Sequence, residues 1–82
     1  MYRLLEILNA NDVFMSIRPD VDNDSVVFTF RKTNHMEEVY NKCYRMTNAE
    51  INGLDVNIME VLIDFAERFI KAFEVEQEKD LD

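Results

Sequence analysis

Leu4, Ile7 and Leu8 recur at steps of three and four, which places them on one face of a short helix over Tyr2–Ala10. Asn9, Asn11 and Asp12 are weak helix formers and mark its end. The period then changes to two. Over Val13–Arg18, Val13, Met15 and Ile17 alternate with Phe14, Ser16 and Arg18, the pattern of a strand. Pro19 cannot donate to a ladder, so this strand stops there or lies on an edge. Asp and Asn side chains bond back to local backbone, so residues 19–24 read as a turn.

Ser25–Lys32 is the clearest strand, with Val26, Phe28 and Phe30 on one face and Val27, Thr29 and Arg31 on the other. Thr33-Asn34-His35 turns the chain. Glu37–Met46 reads as the paired strand, with Tyr40, Lys42, Tyr44 and Met46 on one face and Val39, Asn41, Cys43 and Arg45 on the other; the pattern leaves open which face is buried. Thr47 followed by Glu50 is a capping box, and Gly53, the one glycine, should end about one helical turn. Asp55 or Asn57 can cap a last helix from about Val56 to about Glu76. Met59, Leu62, Ile63, Ala66, Phe69, Ile70 and Phe73 form its apolar stripe, and Ile58, Val61 and Phe65 widen it. A stripe this wide asks for more than one sheet contact: either the first helix packs on it too, or a second copy of the chain does.

The expected fold class is therefore α+β: a short N-terminal helix, a three-stranded antiparallel sheet, a helical turn and a long amphipathic helix packed on the sheet, in the order αβββα. One domain over residues 1–76 is expected, followed by an acidic tail over residues 77–82.

Charge sharpens this picture. The formal net charge is −8 over 82 residues, and it is unevenly spread. Residues 1–54 carry six Lys and Arg against eight Asp and Glu, whereas residues 55–82 carry three against nine. Glu60, Asp64, Glu67, Lys71, Glu74 and Glu78 recur at alternating steps of four and three, so they share one side of the last helix. At about 1.5 Å per residue the stripe is about 27 Å long. Neighbouring positions along the stripe rise by about 4.5–6 Å, comparable with the phosphate spacing of a nucleic-acid strand. The plainer reading of such a run is a solvated helix face. As a binding face, its candidate partner-binding residues are Glu60, Asp64, Glu67, Glu74 and Glu78.

Candidate chemistry elsewhere is thin. The chain has one His, His35, one Cys, Cys43, and two Ser, Ser16 and Ser25, too few for a nucleophile, a base and an orienting group with any motif behind them. One glycine excludes the familiar phosphate-cradling loops. Residues 20–25 begin like a calcium loop, but Ser25 and Arg31 stand where that loop needs Gly and Glu. Catalytic residues, a metal site and cofactors are therefore not expected. Arg31, Lys32, Lys42 and Arg45 gather on the second and third strands with Tyr40 and Tyr44 among them, the ingredients of a single-strand binding surface. Glu37, Glu38 and the acidic balance of the chain argue against direct nucleic-acid binding. One cysteine, no secretory leader pattern and no long apolar run make the cytoplasm the expected compartment, a host's cytoplasm if the gene is viral, with no membrane partner.

The layout resembles small acidic phage and prophage proteins, in particular the type II-A anti-CRISPR inhibitors of Cas9. The points of likeness are Arg3-Leu4-Leu5-Glu6-Ile7-Leu8, the Asp-rich turn, Val26–Arg31 and the amphipathic segment Phe69-Ile70-Lys71-Ala72-Phe73. The family's glycine-containing strand connections are missing here, and none of its contact residues carries over. The resemblance implies a non-enzymatic inhibitor that mimics DNA and blocks a basic, nucleic-acid-handling host defence protein. The rival expectation is a homo-oligomeric assembly protein, at its simplest a homodimer, joined through the wide apolar side of the last helix.

Overall fold

A computed structural model describes residues 2–53 and 57–79. In chain order the elements are α1 (Tyr2–Ala10), β1 (Phe14–Asp20), a single 3₁₀ turn (Val21–Asn23), β2 (Ser25–Thr33), β3 (Val39–Thr47), α2 (Asn48–Gly53) and α3 (Ile58–Lys79). The strands form one antiparallel sheet in the order β1-β2-β3. The α+β architecture expected from the periodicity is the observed one, with α3 as the long element over the sheet.

The boundaries move for local reasons. Val13 closes the turn that follows α1 and is not part of β1. Its amide donates to Leu8 O at 2.9 Å, and the Asp12 amide donates to Asn9 O at 3.4 Å. Asp12 is left-handed at φ 54°, so the pair of bonds is a Schellman closure. Val13 and Leu8 are both buried, which supplies the apolar contact that accompanies this motif. Glycine usually occupies that position; here Asp12 does, and Asp24 (φ 48°) and Glu37 (φ 64°) take the same conformation in the two hairpin connections. Gly53 ends α2 without a positive φ, so its freedom is not used in the way the sequence led one to expect.

β1 continues through Pro19 to Asp20, which β1 tolerates as an edge strand. β3 begins at Val39 because Glu37 and Glu38 belong to the turn. There the Asn34 side-chain oxygen accepts from the amides of Met36 and Glu38, both at 2.9 Å. α3 extends to Lys79, three residues past the expected end, so 77–79 of the expected tail are helical; residues 80–82, Asp55 and Val56 lie outside the described residues.

Register settles the faces. Phe28 pairs with Ile17 and Tyr44, and Phe30 with Met15 and Lys42, so the even-numbered residues of β2 and β3 share one side. That side faces the helices: Phe28, Phe30 and Met46 are buried with Leu62, Ala66 and Phe69 of α3 and with Leu4 and Leu8 of α1. The buried face of β3 is therefore the Tyr40–Tyr44–Met46 face. Seven rings run through the interface in one contact chain. Phe73 meets Tyr40 (6.0 Å between centroids), Tyr40 meets Phe69 (5.5 Å), and Phe69 meets Phe30 (5.7 Å). Phe30 meets Tyr44 (5.7 Å), Tyr44 stacks on Phe65 (4.9 Å), and Phe65 meets Phe28 (5.9 Å). Such pairs add about 0.5–1.5 kcal/mol each beyond the area they bury. Ala66, fully buried at the middle of α3, lets the helix approach the sheet closely. α1 also packs against α3, so sheet and first helix together use the wide apolar stripe.

Candidate acidic interface

α3 is fixed at both its start and its inner side. Asn57 Oδ1 accepts from the Met59 amide at 2.9 Å, and the Glu60 amide donates to Asn57 O at 2.9 Å, so Asn57 is the cap that the sequence offered. The preceding α2 is started by Thr47 and Glu50 as a true capping box. The Glu50 amide donates to Thr47 Oγ1 (3.1 Å), and the Thr47 amide donates back to Glu50 Oε1 (3.3 Å).

With one side of α3 locked on the aromatic chain, the opposite side faces solvent. Glu60, Asp64, Glu67, Lys71, Glu74 and Glu78 are all exposed, so every expected partner-binding residue lies on one outward side of one helix. Arg68 Nε closes on Asp64 Oδ2 at 2.9 Å, the expected i,i+4 pair. The pair lies near the Tyr44 phenol. Burial raises the pKa of that phenol above the usual tyrosine value, Tyr40 and Asp64 push it further up, and Arg68 opposes them.

The basic patch expected on β2 and β3 is divided between two sides. Lys32, Tyr40, Lys42 and Tyr44 belong to the helix side, where both tyrosines are half-buried and stacked on α3. They are not free to stack on nucleic-acid bases. Lys32 is half-buried, donates to Asn11 O and lies 5.0 Å from the centre of the Phe73 ring. Arg31 and Arg45 stay on the open side of the sheet, and Arg18 of β1 joins them there. Nothing in the spacing of the sequence announces Arg18 as a neighbour of Arg45; only the register, in which both flank Val27, does so.

His35 and Cys43 do not form a site. His35 is exposed in the β2–β3 turn, while Cys43 is at the middle of β3, on the open side, with its Sγ 3.4 Å from Thr29 Oγ1. The Asp-rich turn is a polar turn. Asp20 Oδ2 accepts from Asn23 Nδ2 (2.9 Å) and pairs with Arg45 (3.1 Å), and Asp24 Oδ1 accepts from Asn48 Nδ2 (2.6 Å). Among the described residues no three His, Cys, Asp or Glu side chains converge as a metal-ligand set, and no helix is long and apolar enough to cross a membrane. A cleft of about 320 Å³ opens between the β2–β3 turn and the end of α3, lined by Lys32, His35, Met36, Phe73 and Gln77 among others.

Compared with protein-family models, curated proteins and solved structures, the chain matches none of them.

Proposed function

We propose that this chain is a non-enzymatic protein-binding inhibitor from a phage or mobile element, acting in the host cytoplasm. Its target is a basic host protein that handles nucleic acid, and the outer side of α3 takes the place of the nucleic acid. One observation carries the reading: five carboxylates, Glu60, Asp64, Glu67, Glu74 and Glu78, are exposed along one side of a helix whose other side is buried. Held this way, the charges keep a fixed spacing of one to two helical turns, which a flexible acidic tail could not offer. A partner that neutralises phosphates with Lys and Arg meets a similar linear array of anionic oxygens. The likeness to type II-A anti-CRISPR inhibitors makes a Cas9-type nuclease the first target to try.

The rival reading, self-assembly through the apolar side of α3, draws less support from the packing. Phe65 rests on Tyr44 and Phe28, and α1 packs on α3, so the extra width of the stripe is used inside one chain.

The test has two steps. Wild-type protein and a variant with Glu60→Lys, Asp64→Lys, Glu67→Lys and Glu74→Lys are used to capture partners from bacterial lysate, and a captured candidate is then purified. Its affinity for both forms is measured at low salt, with short DNA as competitor. Binding by wild type alone, displaced by DNA, supports the proposal. Equal affinity of the two forms at low salt refutes it.

A further inference from the structure

We infer that the open side of the sheet is a docking surface for the outer side of α3 of a second copy, so that the chain associates head to tail. Of the described elements, α1, α2 and α3 all send apolar side chains to the other side of the sheet. The open side carries, in register, the rows Arg18–Val27–Arg45 and Phe14–Arg31–Asn41. Its three arginines are all exposed, whereas Val27 between two of them is buried. Asp20, paired with Arg45, is the one carboxylate set on this side within the strands. The surface is therefore basic, on a chain whose net charge is −8.

The occupant follows from complementarity in charge, spacing and shape. Arg18 and Arg45 are two strands apart, about 9.5 Å, and Arg31 is four residues further along, about 13 Å. Glu60, Glu67 and Glu74 succeed one another every about 10.5 Å along α3. Arginine side chains on such a grid reach carboxylates on alternate turns of a helix laid across the sheet. A sheet covered by a helix is also how this chain's other side is built. Each surface adds an exposed apolar side chain among its charges: Phe14, 63% exposed, on the sheet, and Val75, 46% exposed, on α3.

The two surfaces lie on opposite layers of one molecule, so the contact is heterologous. A copy that docks its sheet on a neighbour still offers its own α3 to the next. Such an arrangement grows as an open chain or closes as a ring of three or more copies, and does not close as a two-fold dimer. This inference shares the acidic side of α3 with the proposed inhibitor role and adds the sheet arginines, which take no part in that role, so the arginine variants lose self-association while keeping the inhibitor's target face intact.

Sedimentation equilibrium tests it on the full chain over a range of concentrations. At about 0.1 M salt the wild-type average mass should climb with concentration without levelling at a dimer, and about 1 M salt should return it to the monomer, as the Debye length falls from about 10 Å to about 3 Å. Arg18→Gln with Arg31→Gln and Arg45→Gln should abolish the climb, with circular dichroism verifying the fold. Two charge reversals give the decisive arm. One carries Arg18→Glu, Arg31→Glu and Arg45→Glu, and the other carries Glu60→Lys, Glu67→Lys and Glu74→Lys. Each should be monomeric alone, and an equimolar mixture should associate again. A wild type that stays monomeric at low salt overturns the inference. So does a mass that stops at a dimer, or association that survives the glutamine variant.

Discussion

Phe69 is the centre of the contact between α3 and the sheet, and its truncation tests the fold most directly. The side chain is fully buried and meets Phe30 and Tyr40 at 5.7 and 5.5 Å. Phe69→Ala should cost about 3–5 kcal/mol, the range for emptying a buried aromatic site. Both aromatic pairs are lost with the ring, so about 4 kcal/mol is the working value. A chain of this length has a total stability of about 4–12 kcal/mol. The substitution therefore removes a third to all of it. Urea unfolding followed by circular dichroism reads the effect. With a urea slope near the low end of about 1–3 kcal/mol/M, the midpoint should fall by roughly 3 M, or the variant should be unfolded in water. Phe69→Leu keeps aliphatic bulk and loses only shape and ring contacts, so it should stay folded with a loss of about 1–2 kcal/mol. Phe14→Ala is the internal control. Phe14 is 63% exposed with the Arg31 guanidinium 5.6 Å from its ring centre, a contact of about 0.5–1 kcal/mol at an exposed site. If Phe69→Ala costs no more than Phe14→Ala, α3 is not held on the sheet by the aromatic chain, and the fixed presentation of its acidic side fails with it.

Thr47→Ala removes the hydroxyl that accepts from the Glu50 amide (3.1 Å) and donates to Glu50 Oε1 (3.0 Å), leaves the bond from the residue 47 amide to Glu50 in place, and should lower stability by about 1 kcal/mol in the same urea assay, with Thr47→Ser recovering most of it. The Tyr44 phenol, raised chiefly by burial, holds its proton more tightly in the folded chain than in the unfolded one, where tyrosine titrates near about 10. Its contribution is thus whole below about pH 10 and is lost as pH rises through the native value; Tyr44→Phe should flatten that alkaline fall in the urea midpoint. The Asp64–Arg68 bridge is more than half exposed on both sides, so a double-mutant cycle should return no more than about 0.5 kcal/mol, vanishing in high salt.

Most of the fold is legible in the sequence because its periods are clean. Leu4 and Leu8, Phe28 and Phe30, and Leu62, Ala66 and Phe69 were marked as apolar faces by spacing alone, and all of them are core. What spacing leaves out is whatever depends on pairing between elements. Tyr40 and Tyr44 alternate with polar residues on both sides, so only the register with Lys32 and Phe28 decides that they face α3. Arg31 and Lys32 are neighbours in sequence and lie on opposite sides of the sheet for the same reason. The turn positions were obscured by composition. With one glycine in the chain, left-handed conformations fall to Asp12, Asp24 and Glu37, and acidic residues in loops read first as solvation. The acidic side of α3 was fully legible, because a single helix fixes it without reference to any partner element. Its counterpart, the arginine face, needed three strands in register.

This asymmetry changes what the net charge means. The molecule measures 17 Å across its thinnest dimension, and the Debye length at physiological salt is about 8 Å. The outer side of α3 and the open side of the sheet face away from each other, so an approaching molecule within a Debye length of one feels mainly that one. A basic partner that approaches α3 meets carboxylates broken by Lys71 and by Arg68 tied to Asp64. An acidic partner that approaches the sheet meets three arginines and one aspartate. The value of −8 predicts neither encounter. Averaging over the surface hides a division of charge by layer, and that division is written into the fold. The helix period collects acids on the side away from the core, and the strand period, through the register, collects arginines on the other.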